Sequence, residues 1–142
     1  MKINSIRNGI VIDHIQAGRS LEVYHLLELD KLDCSVAIIQ RVKSAKMGSK
    51  DIIKIDKNLN VNLDVLGYID PGITVNYIKD GLRIQKLHLE LPEELTDVIF
   101  CKNPRCITAT EQEITHIFRL ADRDKRIYRC VYCETEGKNI RK

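Results

Sequence analysis

The 142-residue chain has no tryptophan, two phenylalanines, five tyrosines, three prolines and two methionines. With so few large aromatic side chains, any core must be built from aliphatic residues. No stretch reaches the roughly 18 uninterrupted apolar residues that a membrane span needs, so no membrane partner is expected. The start, Met1-Lys2-Ile3-Asn4-Ser5, lacks an apolar run ending in a small-residue cleavage site, which makes a cytoplasmic location the expectation. Nucleophile elbows, Gly-rich phosphate loops and metalloprotease helices are also missing from the sequence. An enzyme therefore has little to stand on, and a binding or regulatory module is the better reading.

What the chain does hold is a globular balance, 44% hydrophobic and 30% charged, which excludes a wholly disordered protein. Twenty isoleucines and nine valines give it a β-branched bias that favours sheet. Charge is unevenly spread: residues 1–100 carry 13 Lys/Arg and 14 Asp/Glu, net −1, while residues 101–142 carry 10 and 6, net +4. Four of the five cysteines lie beyond that break, so two small domains are expected, 1–92 and 93–142.

In the first, Ile6 to Ile15 reads as a strand, and Ser20 to Lys31 as a helix capped by Ser20. Ser35 to Val42 and Asp51 to Ile55 flank a turn at Met47-Gly48-Ser49 and predict a hairpin. Asn62 offers an N-cap to a short helix that Pro71-Gly72 must stop. Ile73 to Ile78 and Leu82 to Leu89 then flank Lys79-Asp80-Gly81, a good hairpin signal. The order β-α-β-β-α-β plus one strand predicts a ferredoxin-like sheet backed by two helices. Pro92-Glu93-Glu94 reads as a short linker. The fold class is thus α+β: a ferredoxin-like βαββαβ N-terminal domain and a small all-β, zinc-ribbon-like C-terminal domain.

Cys101-x4-Cys106 and Cys130-x2-Cys133 form two knuckles joined by a predicted hairpin, Ile114 to Leu120 and Arg126 to Arg129 around Asp122-Arg123-Asp124. Reducing surroundings disfavour disulfides, and zinc favours four tetrahedral thiolates in structural sites. Cys101, Cys106, Cys130 and Cys133 are therefore read as ligands of one structural Zn²⁺ per chain. Four thiolates leave no open position for substrate, so such an ion holds a fold together. Cys34 reads as a small core residue of a strand.

In the first domain His14 follows Asp13 on the first strand, and Lys50 and Lys54 share a strand face by the two-residue period. With Lys86 and Asn76 these could grip phosphates while Asp13 takes a ribose hydroxyl; taken as residue types alone, they read first as surface lysines in water. His25, His88 and His116 read as isolated.

Several stretches resemble the regulatory chains of aspartate carbamoyltransferase: Gly9 to Ile15, Met47 to Ile55, Thr74-Val75-Asn76, Leu91-Pro92, and the cysteine quartet with Ile107 and Val131-Tyr132 to Glu134. The resemblance implies a noncatalytic subunit of pyrimidine biosynthesis, with an allosteric nucleotide-binding domain and a zinc domain that docks on the catalytic chain. It further implies homodimers through the N-terminal domain that bridge catalytic trimers, and CTP, UTP and ATP as effectors. Carried over by alignment, the nucleotide positions are Ile6, Val11, Asp13, His14, Lys50, Lys54, Asn76, Ile78 and Lys86. Asn103 and Glu134 match positions facing the catalytic chain. Asn4-Ser5, Gly81 and Arg105 depart from the family pattern, the first two at the base pocket and the last at the interface. Two rivals stand beside this reading. One is a nucleic-acid-binding zinc ribbon using Arg119, Arg123, Lys125, Arg126 and Arg129; the other is an assembly-only relative without effector response.

Overall fold

The computed structural model describes residues 6–137 and divides the chain into two compact units, Met1–Glu90 and Leu91–Lys142. In the first, β1 (Gly9–Gln16), α1 (Ser20–Leu26), β2 (Val36–Ser44), β3 (Gly48–Ile55), α2 (Leu63–Ile69), β4 (Thr74–Lys79) and β5 (Leu82–His88) follow one another. The strands form an antiparallel sheet in the order β2-β3-β1-β4-β5. That is the split βαβ arrangement with an added edge strand.

Strict alternation decides the two faces of this sheet. Ile10, Ile12, Ile53, Ile55 and Val75 are buried on one face, with Val23 of α1 and Leu66 and Ile69 of α2 completing an aliphatic core. Each fully buried isoleucine contributes about 1.5 to 3 kcal/mol relative to exposure. The opposite face carries Val11, Asp13, Ile52, Lys54, Asn76 and Lys86.

Asn62 caps α2 by accepting the Val65 N–H at 3.2 Å, and the helix ends before Pro71-Gly72. Asp80 and Gly81 both have positive φ, 53° and 79°, as a tight two-residue hairpin turn requires. The first helix differs from its sequence reading. It stops at Leu26, Glu28 turns left-handed at φ 54°, and a 3-10 turn spans Leu29–Lys31. Continued as an α-helix, Leu29 would lie about 240° around the axis from Val23, off the core face. The break lets Leu29 bury instead. Ser20 is not the cap: it is the first helical residue, and its side chain caps nothing.

Two bulges interrupt the sheet. Asp13 and His14 together face Ile52 of β3, and Gln40 and Arg41 of β2 together face Asp51. His14 and Arg41 take positive φ there, 59° and 60°. Bulges of this kind turn side chains away from strict alternation.

The second unit is a sheet ordered β6-β7-β8-β9, from β6 (Glu94–Thr96), β7 (Ile117–Asp122), β8 (Ile127–Cys130) and β9 (Glu136–Gly137), with the four-residue helix α3 (Ile107–Thr110). Leu95, Ile99, Phe118 and Tyr128 are its buried core. Pro92 to Glu94 is no loose linker. Tyr128 donates its hydroxyl to the Pro92 carbonyl at 2.6 Å, Arg123 pairs with Glu93 at 2.7 Å, and Glu94 opens β6. Cys34 lies ahead of β2, half-buried, and so is not a core residue of a strand. Among the described residues no helix is long and apolar enough to cross a membrane.

Candidate functional sites

Cross-strand register places four residues in one row on the uncovered face of the first sheet. Lys54 pairs with Val11, Val11 with Asn76, and Asn76 with Lys86. The row spans β3, β1, β4 and β5, so the two lysines flank an apolar and an amide side chain. Asn76 is only 7% exposed, and its Oδ1 has no hydrogen-bond partner among the described residues. A buried carbonyl oxygen without a donor is costly, about 1 to 3 kcal/mol. It therefore marks where a ligand donor would fit.

Toward the end of the sheet where β3 begins, Asp13 pairs with Thr74, and Thr74 with His88. Lys50 holds Asp13 in a part-buried ion pair at 2.9 Å. Asp13 also accepts its neighbour's backbone N–H, from His14, at 2.6 Å. The His14 ring, turned by the bulge, sits 2.9 Å (Nδ1) from Thr74 Oγ1. Burial pushes the His14 pKa below its ordinary value; Asp13 opposes this, while Lys50, Lys46 and Lys86 reinforce it. The ring is therefore mostly neutral near pH 7, with one carboxylate and three ammonium groups acting on it.

Toward the other end, Ile78 pairs with Gly9, and Ile6 is half-buried. The face thus grades from apolar to cationic along the strands. Of the residues singled out from sequence, the sheet brings Val11, Asp13, His14, Lys50, Lys54, Asn76, Ile78 and Lys86 to one face, with Ile6 just ahead of β1. Asn4 and Ser5 lie outside the described residues. His88, read as isolated, stands in register beside Thr74. Lys46 was missed, because a lysine in a hairpin turn carries no signal of what the turn leans toward.

In the second unit the Sγ atoms of Cys101, Cys106, Cys130 and Cys133 all lie within 4.8 Å of one another. Cys101 and Cys133 are 3.6 Å apart, and Cys106 and Cys130 3.7 Å. Four sulfurs about 2.3 Å from a tetrahedral ion stand about 3.8 Å apart, so the arrangement fits a thiophilic divalent cation. Cys106 caps α3, and Cys130 ends β8 just before the turn that presents Cys133.

Polar groups surround the sulfurs. The buried Thr108 hydroxyl donates to Cys106 Sγ at 3.1 Å, and Thr135 Oγ1 lies 3.3 Å from Cys133 Sγ. Burial, chiefly, pushes Cys101 up to about 12. For Cys133 burial acts the same way but is outweighed by the Thr135 hydroxyl, the Asn103 side chain and the Thr135 N–H, which bring it down to about 6. Four sulfurs this close repel one another as thiolates, so a cation among them is what would hold all four deprotonated. Ile107 and Tyr132, beside these cysteines, are among the few large apolar residues left exposed.

Residues 1–90 match the family model described as aspartate carbamoyltransferase regulatory chain, allosteric domain. Residues 93–140 match the one described as aspartate carbamoyltransferase regulatory chain, metal binding domain. Three similar proteins all carry the name aspartate carbamoyltransferase regulatory chain. That of Clostridium tetani is 50% identical over 135 residues, covering 94% of both chains. That of Clostridium acetobutylicum is 47% identical over 134 residues, 94% of this chain and 92% of its own. That of Bifidobacterium longum is 42% identical over 138 residues, 97% and 99%.

Proposed function

Because the chain belongs to the family of aspartate carbamoyltransferase regulatory chains, noncatalytic subunits with an allosteric and a metal-binding domain, we propose that it binds nucleoside triphosphates on the open face of its first sheet. The observation that carries this is the row Lys54, Val11, Asn76, Lys86, with its buried, unpartnered amide oxygen. Compact ammonium groups suit a multiply charged anion. The Asn76 oxygen suits a base amine or ribose hydroxyl. Ile6, Val11 and Ile78 offer the base an apolar surface and Asp13 can accept from a ribose hydroxyl, while His14 and Lys50 stand toward the phosphates. CTP, UTP and ATP are the candidate effectors.

The second domain would hold one Zn²⁺ through Cys101, Cys106, Cys130 and Cys133. When bound, the ion cross-links the two knuckles and supplies folding free energy, of the order of 10 to 16 kcal/mol in small zinc domains. Next to its ligands in sequence, Ile107 and Tyr132 are apolar and exposed, and Asn103, Arg105 and Glu134 belong to the same two knuckles. These knuckles dock on the catalytic chain, and homodimers formed through the first domain bridge catalytic trimers in the cytoplasm. Binding alone does not regulate. The effector must favour one quaternary state over the other.

The rival nucleic-acid reading draws less support from the geometry. Arg123 is taken by Glu93 and the Leu91 carbonyl, and Arg129 donates to the Glu134 carbonyl. Arg119 and Arg129 pair with each other across β7 and β8, and Glu94 and Glu136 flank them at the two ends of the same row. The two adjacent arginines are thus bracketed by carboxylates, and Arg123 and Arg129 are already engaged within the domain.

Aspartate saturation of the reconstituted holoenzyme, with and without CTP or ATP, tests the proposal. The wild-type chain should give an effector-dependent shift, and Lys54→Ala should lose it. Equal shifts in both would overturn the assignment.

A further inference from the structure

The face that carries the row has a direction. Ile78 and Gly9 mark its apolar end; the Lys54, Val11, Asn76, Lys86 row comes next; Asp13, Thr74 and His88 form the following level. Successive levels are two residues, about 7 Å, apart along the strands. Because β1 and β3 are antiparallel, with Gln16 opposite Lys50, the β2–β3 hairpin lies beyond that last level. Ser44 pairs with Gly48 at its closing end, and Lys46 stands exposed in its turn.

The charges acting on the His14 ring are Asp13, Lys50, Lys46 and Lys86. That is three ammonium groups against one carboxylate, and the carboxylate is already held by Lys50 at 2.9 Å. Lys46 and Lys86 have no carboxylate partner among the described residues. A nucleotide whose base lies at the apolar end sends its phosphates toward this surplus, with Lys46 farthest along the path.

We propose that Lys46 is a further effector-binding residue, contacting the terminal phosphate, so that affinity grows with the length of the polyphosphate chain; this rests on the nucleotide site proposed above. Lys54 and Lys86 meet the nucleotide earlier and bind monophosphate and triphosphate alike. Lys46 meets only what extends past His14 and Lys50. Lys43 lies in the same hairpin, pairs with Ser49 and alternates onto the other face from Lys50, which makes it a matched control for loss of one positive charge.

Calorimetric titration of the full-length, zinc-loaded chain with CTP, CMP, ATP and AMP tests this. Lys46→Gln should weaken triphosphate binding about threefold to tenfold and leave monophosphate binding unchanged. Lys43→Gln should change neither. Equal weakening of both nucleotide classes in Lys46→Gln, or no weakening of either, overturns the role of Lys46. Lys54→Ala separates the two claims: if it loses nucleotide while Lys46→Gln binds normally, the site stands and only the inference about Lys46 falls. A wild-type chain that binds no nucleotide removes both.

Discussion

Asp51 on β3 accepts the backbone N–H of Ser20, the first residue of α1, at 3.2 Å across 31 positions of sequence. The same carboxylate takes the N–H of Gly18 at 3.0 Å and, through its other oxygen, that of Arg41 at 3.0 Å. A fully buried charge is thereby matched by the start of a helix and the bulge of a neighbouring strand. Lys50 of the candidate site is its immediate neighbour, on the opposite face.

Asp51→Ala leaves the buried Ser20 N–H and the part-buried N–H groups of Gly18 and Arg41 without their acceptor and should destabilise the first domain by about 3 kcal/mol. The benefit depends on pH. Burial alone would raise the Asp51 pKa, but the N–H groups of Arg41, Gly18 and Ser20 and the Ser20 hydroxyl hold it below the ordinary 3.8. The stabilisation is therefore complete above that ordinary value and is lost as pH falls through the lower, folded one. Urea midpoints of wild type and Asp51→Ala should differ widely at pH 7 and converge toward pH 2.

His14 has its pKa lowered in the free protein, so its ring is mostly neutral near pH 7. A polyphosphate beside it favours the charged form and raises that pKa. Effector binding should therefore take up a proton, and should tighten as pH falls from the raised pKa of the bound state toward the lowered pKa of the free one. Calorimetry in buffers of different ionisation enthalpy should show this uptake in wild type. His14→Asn should abolish it; unchanged uptake would place the titrating group elsewhere.

Strand periodicity, the Asp80-Gly81 turn, the Asn62 cap and the paired cysteines were all legible in the sequence, because each is a local pattern with a local cause. Asp51 was not recognised, although alternation puts it on the core side with Ile53 and Ile55. A carboxylate there was the available signal. Its partners at Gly18, Ser20 and Arg41 become visible only once β2 and α1 are docked. The bulges at Asp13-His14 and Gln40-Arg41 are likewise set by pairing, which a single strand cannot reveal. The short strands β6 and β9 are too brief to show any period, and α1 ends early for the sake of Leu29, a tertiary demand.

Replacing Cys106 or Cys133 with serine should abolish metal binding and assembly with catalytic trimers, since the knuckles then lack their cross-link. Metal content by atomic absorption and gel filtration with catalytic chains would check both. A variant lacking the ion that still assembled normally would contradict the role given to it.

The first sheet leaves β2 and β5 as edges, and on β5 Leu82 and Ile84 are 71% and 63% exposed. Unpaired edge groups beside exposed apolar side chains invite a twofold partner. The isolated chain should sediment as a dimer at micromolar concentration; a monomer under those conditions would count against bridging by regulatory dimers.

Titration of the isolated, zinc-loaded chain with CTP and with ATP, in wild type and in the double variant Lys54→Ala/Lys86→Ala, addresses the row of Lys54, Val11, Asn76 and Lys86 most directly. Each charge-assisted contact contributes about 1.5 to 3 kcal/mol, so the wild type should bind and the double variant should lose tenfold or more, with zinc content unchanged. No binding by the wild type at millimolar nucleotide, or equal affinity in the two proteins, would contradict the account.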